Sequence, residues 1–135
     1  MLMKPLGPDE IVEKTIRVMN EQGFDKVFLA TEDAIVFEKY MNSEIADKTL
    51  YVDQERINYN DFSQTSFLRD IYKEMKRDLY FASVRYLGIL NILSKCDGLI
   101  STTLCGAAKI AWGLNNGKYE YFDVPGIKNI QGDRD

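Results

Sequence analysis

The chain has 135 residues, of which 45% are hydrophobic and 28% are charged, a balance typical of one folded domain with its own apolar core. Its formal net charge of −4 provides no overall positive field to gather phosphate backbones, so nucleic acid is not an expected partner. The sequence has no histidine, which excludes nucleophile chemistry that relies on an imidazole base.

The two cysteines, Cys96 and Cys105, fall where a strand and a helix are predicted to begin, and no histidine is present to complete a metal site. We interpret both as reduced core thiols and expect no metal. No apolar run approaches the roughly 18 residues needed to cross a bilayer, and residues 1–5 lack the apolar core of a signal peptide. The expected location is the cytoplasm.

The first half of the chain alternates helices with short apolar runs. Pro8 opens a predicted helix that Gly23 ends, because proline suits the first helical turn and glycine suits the left-handed residue after the last. Lys26–Thr31 is predicted to be a buried parallel strand, and the polar residues that follow it cap a second helix to about Met41. Two further elements complete this half, a strand at 49–53 and a loop at 54–64.

The second half continues the alternation. Residues 66–94 have a helical composition, and their length favours two helices with a break near Asp78. The elements predicted after them are a strand at 97–103, a helix of small residues at 105–115 and a strand at 119–124. Strands that alternate with helices are typical of a parallel sheet built from right-handed crossovers. The predicted fold class is therefore α/β, a parallel sheet of about four strands flanked by helices, in a single domain spanning 1–135.

Polar residues follow three of the predicted strands. They are Thr31, Glu32 and Asp33 after the first, Asp53 after the second, and Ser101, Thr102 and Thr103 after the third, with Cys105 opening the next helix. In open parallel sheets, ligands bind beyond the carboxyl ends of the strands, where helix N-termini offer free N–H groups. Carboxylates can accept hydrogen bonds from a ribose or base, and hydroxyls with backbone amides can hold a diphosphate. The same residue types also cap helices, so spacing alone leaves both roles open.

Two blocks of sequence carry a resemblance to a known family. One is Val27-Phe28-Leu29-Ala30-Thr31-Glu32-Asp33, a strand that ends in Ala-Thr and two acids. The other runs from Leu93 to Ala108 and contains Leu-Ser, two residues, an aspartate, a buried strand and a hydroxyl loop. Both resemble the superfamily of α1,6-fucosyltransferases and nodulation fucosyltransferases. A further stretch, 115–120, is similar to bacterial capsular-biosynthesis glycosyltransferases of this type.

The resemblance implies the C-terminal, donor-binding, Rossmann-like half of a GT-B glycosyltransferase whose N-terminal half is missing. The implied donor substrate is GDP-fucose or a similar nucleotide sugar, with no other cofactor. The match places Glu32 and Asp33 against the nucleoside or sugar, and it places Thr102, Thr103 and the amides near Cys105 along the diphosphate.

The chain departs from the superfamily's pattern at three places. The histidine-arginine strand motif, whose arginine stabilises the leaving diphosphate, is expected just before the Pro8 helix and is absent, so we assign no catalytic residue and expect no transfer by this chain alone. The acidic residue expected eight positions before Asp97 is Ile89, which argues against guanine recognition. Leu104 and Cys105 stand where the fucosyltransferases carry serines.

The absent strand would lie at the centre of the implied sheet, between the strands at Val27 and Leu99. Each unpaired backbone group at a buried strand edge costs about 1–3 kcal/mol, so we expect the gap to close. Either Val27–Thr31 pairs directly with Leu99–Thr103, or a second copy of the chain supplies the pairing. Of these two, we favour a homodimer.

Two other functions stay open at this point. A non-catalytic Rossmann-like interaction or regulatory module would have a defined partner and no response to nucleotide. A flavodoxin-like regulatory domain would need a flavin or an acidic pocket, which Glu32, Asp33 and Asp53 could form, but no lysine at a C-terminal strand end supports it. The chain has no glycine-rich dinucleotide loop and no Walker lysine loop, which argues against dehydrogenases and P-loop phosphotransferases.

Overall fold

The computed structural model describes residues 6–58, 79–103 and 105–125. In this part of the chain, helices alternate with very short strands. The elements are α1 (Pro8–Gln22), β1 (Val27–Phe28), α2 (Ala34–Met41), β2 (Thr49–Leu50), α3 (Leu79–Ser94), β3 (Gly98–Ile100), α4 (Gly106–Asn115) and β4 (Tyr121–Asp123), with a 3₁₀ turn at Ala46–Lys48.

The strands form two separate parallel pairs, so the predicted four-stranded Rossmann-like sheet is wrong. β1 pairs with β2, with Val27 opposite Thr49, and β3 pairs with β4, with Leu99 opposite Phe122. Within the described ranges, no strand joins the two pairs, and the direct pairing of 27–31 with 99–103 is not formed. The structure is helix-rich and belongs to the α/β class only loosely. The physical reason is that β1 and β3 each have a partner at one edge only, and a strand pair without further strands is only marginally stable, which favours short ladders.

The first apolar cluster is built on α1. Its buried face packs against β1 and α2, with Ile11, Val12, Met19, Leu29, Tyr40 and Ile45 at the centre. The helix begins at Pro8, and Gly23 ends it with φ of +75°, as the sequence predicts. The Thr15 hydroxyl donates to the carbonyl of Ile11 and lies 2.8 Å from the Tyr40 hydroxyl, so this buried polar pair is satisfied.

The second apolar cluster lies between β3, β4 and α4. It consists of Leu99, Ala108, Ala111, Tyr119 and Val124. Tyr119 is 2% exposed, and its hydroxyl donates to the Leu93 carbonyl at 2.8 Å. Burial raises the pKa of Tyr119 to about 12, because the low-dielectric interior disfavours the phenolate. The phenol therefore remains a hydrogen-bond donor at neutral pH.

The two clusters lie on opposite faces of the β3–β4 pair. Ile100 packs against the first cluster, whereas its neighbour Leu99 belongs to the second, as the alternation of side chains along a strand requires. The Lys14 ammonium lies 2.5 Å from a carboxylate oxygen of Asp123, which ties α1 to the end of β4. Helix α1 therefore spans both strand pairs, and α4 covers the other face of β3.

Three further sequence predictions bear on this architecture. The break near Asp78 lies outside the described residues, and Leu79–Ser94 is one helix. Cys96 is half-buried with a pKa raised chiefly by burial, but Cys105 is exposed, so its assignment as a core thiol is wrong. No helix in 6–58, 79–103 or 105–125 is long and apolar enough to cross a membrane.

Candidate functional site

A cleft of about 970 Å³ separates the two strand pairs. The seven residues predicted to bind a donor all line it, although they come from two distant parts of the chain. They are Thr31, Glu32, Asp33, Ser101, Thr102, Thr103 and Cys105. Asp53 is not among the lining residues. The cleft therefore brings together the two predicted strand-end loops and leaves out the third.

The loop after β1 is held by hydrogen bonds of its own. The Asp33 Oδ1 atom accepts from the amides of Ile35 at 2.9 Å and Val36 at 3.3 Å, which caps α2 at its N-terminus. The Thr31 hydroxyl accepts from the Asp33 amide at 3.1 Å, and the Gln54 side-chain amide donates to the Thr31 carbonyl at 2.9 Å. The predicted cap of the second helix is confirmed, and one oxygen of Asp33 is committed to it.

Ile57, another residue beyond β2, also holds this loop in place. Ile57, only 1% exposed, forms an isolated parallel bridge with Asp33. Its amide donates to the Glu32 carbonyl at 2.7 Å, and its carbonyl accepts from the Ala34 amide at 2.9 Å. The loop predicted at 54–64 therefore includes a bridge at Ile57, while 59–64 lie outside the described residues. A lone β-branched residue in a polar stretch was the only signal for it.

Arg56 is a second residue that the sequence did not reveal. Its guanidinium lies 3.7 Å from the centroid of the Phe37 ring and donates to the carbonyls of Val52 and Gln54. Burial lowers the pKa of Arg56, and the nearby Tyr51 and Asp53 partly offset this effect. An arginine stacked on an aromatic ring and bonded to backbone acts as a local clamp. It does not line the cleft, so it stabilises the turn that carries Ile57.

The loop after β3 leads into α4. The Ser101 hydroxyl donates to the Thr103 carbonyl at 2.6 Å, which folds the hydroxyl loop back on itself. Cys105 is the N-cap residue of α4, in extended conformation, and makes no side-chain cap hydrogen bond. Ala107 and Ala108, in the first turn, also line the cleft. The positive end of this helix dipole therefore opens on the cleft without a side-chain cap.

Charge is unevenly placed along the cleft. Glu32 and Asp33 lie beyond the carboxyl end of β1, whereas Lys26 and Asp97 precede β1 and β3. Tyr86 of α3 also lines the cleft; burial raises its pKa, and the nearby Cys105 and Glu32 raise it further. Lys26 is the only basic side chain among the described lining residues. The end of the cleft next to the carboxyl ends of β1 and β3, here called the carboxyl-end mouth, is thus acidic apart from the α4 N-terminus.

Comparison with known proteins returned no matching family model, curated protein or solved structure. The interpretation of the chain therefore depends on its own structure, which is helix-rich and has two short parallel strand pairs on either side of an open cleft.

Replacing Asp33 by alanine is expected to lower the free energy of unfolding by about 0.5–2 kcal/mol, because two amides of α2 lose their cap. Asparagine at this position keeps the accepting oxygen and should cost much less. Urea unfolding at neutral pH measures both variants, with Asp47→Ala at an exposed site as the control. A loss in Asp33→Asn equal to that in Asp33→Ala would contradict the capping role.

Proposed function

We propose that the chain binds a nucleotide sugar, with GDP-fucose as the leading candidate, as the donor-binding part of a glycosyltransferase. The observation that carries this proposal is that all seven predicted donor-binding residues line one cleft. The proposal concerns this cleft rather than a Rossmann-like fold, which the strand pairing excludes for the described residues.

The loop after β1 and the loop after β3 would contact different parts of the ligand. The uncapped N–H groups at the start of α4, with the hydroxyls of Thr102 and Thr103, suit the diphosphate. Glu32 suits hydroxyl groups of the ribose or sugar, since a carboxylate accepts hydrogen bonds. Asp33 is the weaker candidate for ligand contact because one of its oxygens already caps α2. The proposed polar contacts of the donor involve Glu32 and the loop after β3.

Binding of GDP-fucose is expected to be weak, in the millimolar range, because Glu32 and Asp33 repel the diphosphate and no arginine lines the described part of the cleft. Thr102→Val, which removes one hydroxyl at constant shape, should weaken binding about tenfold. Titration of GDP-fucose into ¹⁵N-labelled protein gives the dissociation constants. Thr49→Val, which removes a hydroxyl outside the cleft, is the matched control. Equal losses in the two variants, or no binding by the parent chain, would contradict the proposal.

Sugar transfer by the chain alone is expected to be undetectable. Departure of a nucleoside diphosphate needs positive charge at the leaving oxygens, and the only basic residue among the described cleft residues, Lys26, precedes β1 at the opposite end. An assay with labelled GDP-fucose and mixed glycan acceptors measures this directly. Product formed at a rate above that of a heat-denatured sample would show that the chain carries catalytic groups of its own.

A non-catalytic interaction module is the second candidate function. The specific observation in its favour is a row of exposed apolar side chains on α3, with Phe81 64% exposed, Val84 52% and Leu87 64%. Ile110 and Leu114 on the adjacent α4 are also exposed, and apolar patches of this kind mark protein contacts. A homodimer through this patch is the simplest form. Light scattering across a concentration range, on the parent chain and on Leu87→Glu, separates this candidate from a monomer.

A further inference from the structure

The inner edges of β1 and β3 carry backbone groups that their partner strands do not use. The Leu29 amide donates to the Leu50 carbonyl of β2 at 2.8 Å, and the Ser101 amide donates to the Asp123 carbonyl of β4 at 3.1 Å. Backbone groups of successive residues in a parallel strand point to opposite edges. The residues that alternate with these donors along each strand therefore direct their backbone groups away from β2 and β4. Those residues are Phe28 and Ala30 on one side and Gly98 and Ile100 on the other, and all four line the cleft.

The two inner edges run in the same direction. At the amino ends, the Phe24 ring lies so close to Gly98 that a Cβ atom there would be 3.2 Å from it. At the carboxyl ends, Thr31 after β1 and Ser101 after β3 line the same cleft as Tyr86. Because the segment before β1 contacts the start of β3 and the residues after both strands line one cleft, an extended chain between them would be parallel to both.

Both remaining walls of the cleft are largely apolar. Helix α1 contributes Ile11, Thr15, Val18 and Met19, and helix α3 contributes Ile89, Leu90 and Leu93. The α1 cluster and the cluster that includes Leu93 lie on opposite faces of β3. A strand in the cleft would therefore be buried on both faces, and such strands are continuous runs of Val, Ile and Leu rather than alternating sequences.

The charged residues at the two mouths of the cleft indicate which type of residue follows the apolar run of that strand. The carboxyl-end mouth holds Glu32 and Asp33, whereas the amino-end mouth holds one lysine and one aspartate, Lys26 and Asp97. An arginine or lysine following the apolar run would thus meet two carboxylates. A second copy of this chain is a poor occupant, because each strand of the described part already has a partner and would have to leave it.

We propose that the cleft receives one extended segment of a partner protein, a run of about five apolar residues followed by a basic residue. The segment lies parallel to β1 and β3 and bonds to both inner edges. The strand order becomes β2, β1, partner, β3, β4, a single parallel sheet. Most strand-addition complexes extend one open edge of a sheet; this one joins two edges.

Hydrogen exchange on the full ¹⁵N-labelled chain tests the proposal. The probe is the peptide acetyl-Thr-Val-Ile-Val-Ile-Arg-amide at up to millimolar concentration. The amides of Phe28, Ala30, Gly98 and Ile100 should slow at least tenfold at saturation, while those of Leu29 and Ser101, already bonded, should change little. A peptide N-methylated at alternate residues has neither the donors nor the space to pair with one of the two edges, so it should slow the amides of the other edge only. Inner-edge amides that are as slow as Leu29 without peptide, or no slowing with it, would overturn the proposal.

A charge-matched pair of variants tests the position of the basic residue. Glu32→Gln with Asp33→Asn neutralises the carboxyl-end mouth and keeps a cap for α2. Glu44→Gln with Asp47→Asn makes the same charge change at exposed sites outside the cleft. The first pair should weaken peptide binding about fivefold, and the second should leave it unchanged. Equal losses in both pairs would overturn the placement of the strand in this cleft.

Discussion

Replacing Tyr119 by alanine is expected to lower the free energy of unfolding by about 3–5 kcal/mol, the range for removing a large aromatic side chain from a core. Tyr119 is 2% exposed, stacks near Phe122 with ring centroids 6.2 Å apart and joins the segment before β4 to α3 through the Leu93 carbonyl. The substitution should destabilise the whole second cluster, because Tyr119 contacts several of its elements. Urea unfolding followed by circular dichroism measures it, with Tyr51→Ala at a 43% exposed site as the control; similar losses would contradict the assignment.

The Tyr119→Phe variant separates the contribution of the ring to stability from the contribution of the hydroxyl. The folded-state pKa of Tyr119 is raised to about 12 from 10.0. The protonated phenol therefore adds stability below pH 10, and this contribution is lost as the pH rises toward 12. The parent chain should lose more stability between pH 8 and pH 11 than Tyr119→Phe does. Other tyrosines with raised pKa values titrate in both proteins, so only the difference reports on Tyr119. Equal losses over this range would contradict the burial of the Tyr119 phenol.

Helix boundaries were the most predictable part of the fold because they depend on local chemistry. Pro8 and Gly23 mark the ends of α1, Asp33 caps α2, and α2 ends at Met41 as predicted. Helix α4 extends from Gly106 to Asn115, one residue shorter than its prediction. Each of these signals acts within one turn of the backbone, so the residues themselves identify the boundary.

Sheet organisation was not predictable by the same means. The apolar residues within 26–31 and 97–103 lie against the apolar clusters, yet only 27–28 and 98–100 are strands. An apolar run specifies burial, whereas a ladder also needs a partner at the correct distance, which depends on residues far away in the chain. The sequence therefore predicted the places of these two strands, each with one buried leucine, Leu29 or Leu99, but it predicted burial on both faces and one sheet instead of two.

The sequence predicted several of the residues that line the cleft, but not the contacts that hold those residues in place. Strand-end polarity identified seven residues that line the cleft, because segments that leave a parallel strand converge at its carboxyl end. The supports of the site were missed. Ile57 and Arg56 lie in a segment whose composition is that of a loop, and their roles depend on contacts with Asp33 and Phe37. Such contacts have no signature in a single sequence.

Replacing Ile57 by alanine is expected to lower the free energy of unfolding by about 2–5 kcal/mol, because a side chain that is 1% exposed leaves a cavity. Ile57→Val, a loss of one methylene, should cost about 0.5–1.5 kcal/mol. The alanine variant should also loosen the bridge to Glu32 and Ala34, and so the cap that Asp33 provides to α2. The amide exchange rates of Ile35 and Val36 report on that cap. They should rise in Ile57→Ala and remain unchanged in Leu99→Ala, which opens a cavity in the second cluster. If both variants raised them equally, the effect would be global destabilisation, and Ile57 would have no particular part in holding the loop that carries Glu32 and Asp33.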